Sequence, residues 1–389
     1  MKLQNVLLTV GLSLSIILVA GCGSSSHSNS TPTASARAHQ VFALFPPLTP
    51  SDKDYNDFNQ YVLTNANVAG VSAALPWNAI ESDVTPGSYD FTTYDANLQH
   101  IISAGKTINL IVQGISEGKA NTLTPAYVFT SSWASTCCSS APLDVVTCDA
   151  YPGNGDADTG MPVFTEPPFE TAYKNFISAV IQHYSNNPSI GYIRFGLGLG
   201  GEVAPLCVTQ WPNFSKTDFL NFVQNMMSFE ASLHGQVRLE QNIHAIGNPP
   251  DVSYADAEAS YAVQDGFIGF GNNGANVQDV SAASSGQPCN ADWCALFDKY
   301  AGTEVDGSPI VLQLQTLGPT DPTNAGEVGS LSQILPFAAQ HHANTFELFV
   351  PDLLLAFDPH YASSSPATAA FAVYASSYAQ AIQTFVSGK

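Results

Sequence analysis

Three glutamates stand where apolar runs break: Glu202 closes "IRFGLGLGGE", Glu240 sits in "VRLEQNI" and Glu347 in "TFELFVPD". A carboxyl group that keeps its proton can protonate a leaving group, and an ionised one can activate water. Two such groups across a cleft therefore suit general acid–base hydrolysis. In similar positions lie amides and one aromatic: Trp77, Asn78, Gln113, Asn242, Asn272, Gln313 and Gln315. Amides and carboxylates bind hydroxyl groups, and an aromatic face stacks on the apolar face of a sugar. Cofactor phosphates would want Lys or Arg, of which the 389 residues hold only 11, and no cofactor is expected.

These groups need a frame that gathers them. Eight apolar, β-type runs recur along the chain: "VFALF" (41–45), "AGVSAALPW" (69–77), "INLIVQGIS" (108–116), "GYIRFGLGLG" (191–200), "VRLEQNI" (237–243), "GFIGFGNN" (266–273), "PIVLQLQTL" (309–317) and "TFELFVPD" (345–352). Segments of helical periodicity lie between them, such as "YDANLQHIISAG" and "FETAYKNFISAVIQHYS". This alternation predicts an α/β protein, a single (β/α)8 TIM barrel. An open doubly wound sheet is the rival, but no Gly-rich phosphate fingerprint opens the first helix. In a barrel the polar residues that end each strand converge at the C-terminal face. The longest insertion, about 117–168 after the third strand, carries Cys137, Cys138 and Cys148 and is expected to wall or cover that face, made rigid by disulfides.

The remaining composition narrows the partners. A net charge of −21 repels nucleic acid and anionic headgroups, so a neutral or cationic ligand is expected. Residues 1–21 pair a short basic start with the apolar "VLLTVGLSLSIILVAG", an export signal, and "LVAGC" resembles the lipobox of bacterial lipoproteins. That resemblance implies a lipid on Cys22 and a protein held in the cell envelope, at an outer membrane or cell surface; an ordinary signal peptide is the alternative. Residues 22–38 are Ser/Thr-rich and nearly uncharged, a flexible tether, which leaves 39–389 as the folded domain. Six cysteines remain after Cys22, an even number that favours disulfides over metal in an exported protein. Cys289 with Cys294 forms one expected pair. Cys148 with Cys137 or Cys138 forms another, the remaining cysteine going to Cys207. No CxxC or HxxxH spacing supports zinc. A monomer is expected.

Two stretches carry a more specific likeness. "GVSAALPWNAIESDVTPGSYDFTTYDANLQHIISAGKTINLIV" resembles the second barrel unit of clan A glycoside hydrolases, where a strand ending in Trp leads to a Tyr-Asp-Phe phrase, a helix and the next strand. "FISAVIQHYSNNPSIGYIRFGLGLGGE" resembles the helix, turn and fourth strand that lead to their acid/base glutamate, and Glu202 falls at that position. The resemblance implies a barrel that acts on or binds a polysaccharide or oligosaccharide. Two departures stand out. Gly201 replaces the Asn that usually precedes the acid/base, so that "GLGLGGE" looks closer to the strand-four end of β-amylase-like barrels, which invert. The usual nucleophile, a glutamate ending strand seven, is missing from "IVLQLQTLG", which offers Gln313 and Gln315. A neutral amide cannot form the glycosyl ester of a retaining mechanism.

Inverting chemistry leaves room for water, with carboxylates about 6.5–9.5 Å apart against about 5–5.5 Å in retaining enzymes. Glu202 is accordingly expected as general acid and Glu347 as base, with Glu240 as the substitute base. Each has a structural alternative: Glu347 alternates with Phe346 and Leu348 in a buried strand, and Arg238 is a ready partner. Arg194 and Arg238 each read as the counter-charge of a barrel carboxylate. Trp77 reads equally as a sugar platform or as core. A glycan-binding barrel that has lost its nucleophile is the alternative function.

Overall fold

The computed structural model describes residues 39–115, 123–148, 159–196, 210–233, 235, 237–243, 251–265, 268–275, 292–301, 310–314, 330–364, 366–369 and 371–388. Ten strands occur among them: β1 (Gln40–Leu44), β2 (Gly70–Pro76), β3 (Thr107–Gln113), β4 (Val145–Cys148), β5 (Thr159–Pro162), β6 (Ile190–Phe195), β7 (Arg238–Asn242), β8 (Ile268–Ala275), β9 (Ile310–Leu314) and β10 (Thr345–Phe349). Eight of them form a closed parallel barrel in the order β1-β10-β9-β8-β7-β6-β3-β2, because β1 pairs with β10 on one side and with β2 on the other. β4 and β5 pair antiparallel as a separate hairpin within the insertion after β3.

The period of two in these strands divides their side chains between two environments. Val41, Ala43, Val71, Ala73, Ile108, Leu110, Ile193, Leu239, Phe270, Phe346 and Leu348 join the apolar layer between sheet and helices. The alternate residues Phe42, Leu44, Ser72, Asn109, Ile111, Tyr192, Arg194, Glu240, Asn242 and Glu347 are buried outside that layer and face the lumen. The lumen is therefore unusually polar for a barrel interior, and each polar group there needs a partner. A register shift in β6 between the partners of Ile108 and Leu110 brings Gly191 against β3. A Cβ at Gly191 would lie 2.5 Å from Asn109 Oδ1, so any larger residue would have to displace the Asn109 side chain.

The helices that cover the barrel are α1 (Thr92–Ser103), α2 (Ser131–Cys138), α3 (Pro167–Tyr184), α4 (Lys216–Leu233), α5 (Val252–Asp265), α6 (Asp292–Tyr300), α7 (Leu331–Gln340), α8 (Val350–Phe357) and α9 (Ala375–Ser387). α3 buries Phe169, Tyr173, Phe176, Ile177, Val180 and Tyr184 along one face, spaced three or four apart as a core-facing helix requires. α9 closes the domain: its Phe385 carbonyl bonds His39 Nδ1 at 3.0 Å and its ring stacks on His39, tying the last helix to the start of β1.

The insertion departs from the expected disulfide staple. Cys137 and Cys138, adjacent at the end of α2, are bonded to each other, so their bridge encloses no loop. Hydrogen bonds do the tethering instead: Trp133 Nε1 to the Pro168 carbonyl at 2.9 Å, Tyr127 Oη to Glu81 at 2.9 Å, and the Asp144 N–H to Glu166 at 2.7 Å. Cys294 takes part in a disulfide, while Cys289, Cys207, Cys22 and the segments 1–21 and 22–38 lie outside the described residues. Among the described residues no helix is long and apolar enough to cross a membrane, and no group of three or more His, Cys, Asp and Glu could hold a metal ion.

Candidate active site

Neighbouring strands bring the lumen charges together. Tyr192 and Arg194 lie two apart on β6, Arg194 is in register with Glu240 on β7, and Glu347 comes from β10. The Arg194 guanidinium joins the two acids: Nε donates to Glu240 Oε2, and a terminal nitrogen donates to Glu347 Oε2 at 2.8 Å. Tyr192 Oη donates to Glu347 Oε1 at 2.5 Å. Arg194 and Glu347 are fully buried and Glu240 is 1% exposed.

This arrangement treats the two acids differently. Both Glu347 oxygens are engaged, one by Tyr192 and one by Arg194. Glu240 has only Oε2 engaged, and its Oε1 has no partner. Burial pushes the Glu240 carboxyl up to about 7; Arg194 opposes the shift and the Glu347 charge adds to it. For Arg194 burial works against the charge, but the two carboxylates outweigh it and hold the guanidinium cationic. Burial, then the Glu347 charge, keeps the Tyr192 hydroxyl protonated well beyond its ordinary range. The cluster is thus one cation between two acids, with burial raising the Glu240 carboxyl toward neutrality.

Asn242 follows Glu240 by two residues on the same face of β7, about 6.6 Å further along the strand. It is buried, and its Nδ2 has no partner. β7 therefore carries two buried, unengaged polar atoms in sequence, Glu240 Oε1 and, at the C-terminal end of the strand, Asn242 Nδ2.

No protein-family model matches the chain, and no curated protein matches it. Among solved structures, the catalytic domain of β-amylase from Paenibacillus polymyxa superposes with a TM-score of 0.51 at 13% identity, over 87% of this chain and 98% of that one. A GH10 endo-β-1,4-xylanase from Gloeophyllum trabeum gives 0.45 at 12% identity, over 81% and 85%. A β-galactosidase from Marinomonas ef1 gives 0.47 at 11%, over 80% and 54%. The chain shares its (β/α)8 barrel fold with that β-amylase catalytic domain. At these identities the likeness speaks for the architecture alone.

Within this barrel the other expected site residues fall in several places. Trp77 is a correction: it is fully buried on the helix side of the sheet, its ring stacked on Phe176 at 5.1 Å and edged by Phe169 and Tyr173. A sugar platform needs an open face, and both faces of Trp77 are in core packing. Its Nε1 donates to Glu81 Oε2 at 2.6 Å, and Glu81 also accepts from Tyr127 and the Gly87 N–H, so this acid ties the loop after β2 to the insertion. Asn78 is exposed, its N–H bonded to the Leu123 carbonyl, and Gln113 is half-buried at the end of β3. Asn272 donates to the Ile243 carbonyl at 2.9 Å, which anchors the chain leaving β7. Gln313 is the backbone partner of Glu347 in the β9–β10 register. Glu202 and Gln315 lie outside the described residues.

Arg194 is the counter-charge that its rarity in an acidic chain suggested, but it serves both acids. Arg238 is exposed and is not the partner of Glu347. Tyr192 was not among the expected site residues. Its signal was present in "GYIRF", where period-two alternation puts it on the same face as Arg194. Asp352, the last residue of the eighth apolar run, lies in the first turn of α8 and does not end β10.

Proposed function

We propose that the protein is a glycoside hydrolase-like enzyme that cleaves a neutral polysaccharide or oligosaccharide at the C-terminal mouth of the barrel, by inversion. Glu202 is the general acid and Glu240 the base. The observation that carries the choice of base is the unengaged pair on β7: Glu240 Oε1 accepts, Asn242 Nδ2 donates, and neither has a partner. A buried acceptor and donor left open in a polar lumen suit a hydrolytic water or a sugar hydroxyl. Glu240 also titrates near neutrality, where a general base is most effective. Glu347, with both oxygens bonded, holds Arg194 in place. Inversion fits Gln313 on the seventh barrel strand, and Gln315 two residues later in the sequence, since an amide cannot form the covalent intermediate. In this proposal the domain is tethered to the cell envelope by a lipid on Cys22.

A second reading, a barrel that holds a glycan without cutting it, is favoured by one observation: both acids are salt-bridged and out of solvent. Reducing-sugar release from a neutral glycan panel, measured with retardation in gels containing the same glycans, separates the two. Release by wild type that is lost in Glu202→Gln supports the enzyme. Retardation with no release supports the binding barrel, and equal release by both proteins removes Glu202 from the mechanism. Detergent phase partitioning of wild type against Cys22→Ser tests the lipid, with only the former expected in the detergent phase.

A further inference from the structure

A sugar site needs an apolar face as well as hydroxyl partners, and Trp77 does not supply it. Two aromatics are among the exposed large apolar side chains of the described residues, Phe45 and Tyr374. Tyr374 belongs to a short turn before α9, far along the chain from any strand end. Phe45 directly follows β1, at the C-terminal face where barrel sites assemble.

The backbone there is strained. Phe45 has φ of 47°, and it is the one residue with an apolar side chain among the described non-glycine residues in the left-handed region. A bulky residue pays about 1–3 kcal/mol for this conformation, which persists only where its surroundings enforce it. They do so from both sides. The Phe45 N–H bonds the Ser72 carbonyl at 2.9 Å, and the buried Pro46 and Pro47 follow directly. The chain beyond is pinned by Asp52, which accepts from the Leu48 and Thr49 N–H groups at 2.8 Å each. The result is a large ring turned outward, 36% exposed, in a position where packing alone would turn it in.

The ring is not isolated. Phe349, the last residue of β10 and in register with Leu44, stands 6.4 Å from it at an interplanar angle of 54°. Phe349 lies two residues beyond Glu347 in β10, so the two rings form an apolar corner at the C-terminal end of the strand that carries this acid. An apolar corner together with hydroxyl-binding groups matches a pyranose, which has a C–H face and a hydroxyl edge. The net charge of −21 disfavours an anionic one.

We propose that Phe45 is the stacking platform for a pyranose ring of the neutral glycan, with Phe349 as the wall that sets the tilt of the sugar. This rests on the glycan reading above and names its apolar subsite. The test uses the whole folded domain as wild type, Phe45→Asn and Phe45→Tyr, in affinity gels containing soluble starch, xylan or galactan, with urea denaturation of each. Asn tolerates the left-handed backbone, so Phe45→Asn should keep or raise the urea midpoint while weakening retardation about ten-fold, equivalent to ~1.4 kcal/mol. Phe45→Tyr should bind as wild type. Retardation of Phe45→Asn equal to wild type, or a fall in its urea midpoint with unchanged retardation, would overturn the platform and leave the glycan reading standing. A wild type retarded by none of the glycans would overturn the glycan reading, and the platform with it.

Discussion

Replacing Glu240 by Gln should flatten the pH dependence of stability between about pH 4.5 and pH 7. In the folded protein burial holds the Glu240 proton up to about 7, whereas an exposed glutamate releases it near 4.5. Across that window the folded state binds more protons than the unfolded one, so stability falls as pH rises. The contribution is fully present below about 4.5 and is lost as pH passes the folded value of about 7. The gap between about 7 and 4.5, at ~1.4 kcal/mol per pH unit, amounts to ~3 kcal/mol. A glutamine does not titrate, yet its carbonyl can still accept from Arg194. Self-repulsion of the acidic chain changes with pH in both proteins alike, so the difference between them isolates Glu240. Urea denaturation followed by circular dichroism, in steps from about pH 4.5 to about pH 8, should show wild type losing up to ~3 kcal/mol relative to Glu240→Gln. Parallel profiles would refute the placing of a proton on Glu240.

The same cluster and its surroundings yield two further expectations. Arg194→Met leaves two buried acids without their cation and should destabilise by about 3–5 kcal/mol in urea denaturation, with partial recovery when Glu347→Gln is added. Trp77→Ala opens a cavity against Phe169, Tyr173 and Phe176 and should cost about 3–5 kcal/mol, while glycan retardation of the folded protein stays at the wild-type level.

The barrel was legible because its strands are apolar runs with turn residues at both ends. "AGVSAALPW" became Gly70–Pro76 and "TFELFVPD" became Thr345–Phe349, the expected spans being trimmed where a proline or helix begins. The hairpin of β4 and β5 was not read: its four-residue strands lie among Pro, Gly and Asp with too few apolar residues to show a period. The site was legible in its charges and less so in their geometry. A rare arginine inside a strand pointed to a buried acid, but only closure of the barrel brings β10 within reach of β6, so the shared use of Arg194 by Glu240 and Glu347 is a tertiary fact. Trp77 was ambiguous for a related reason: the end of a strand and the first residue of the following turn differ by one position, and that position decides between mouth and core. Phe45 escaped notice because its left-handed backbone reverses what the alternation of β1 implies.

In the proposed mechanism Glu240, rather than Glu347, works with Glu202 on the glycosidic bond. The most direct measurement is kcat/KM for reducing-sugar release by wild type, Glu240→Gln and Glu347→Gln on whichever neutral glycan the wild type cleaves. Glu240→Gln should lose about 100-fold or more, as for removal of a general base, and the folded fraction of Glu347→Gln should lose no more than about 10-fold. Wild-type turnover by Glu240→Gln, or a larger loss in Glu347→Gln, would contradict that mechanism.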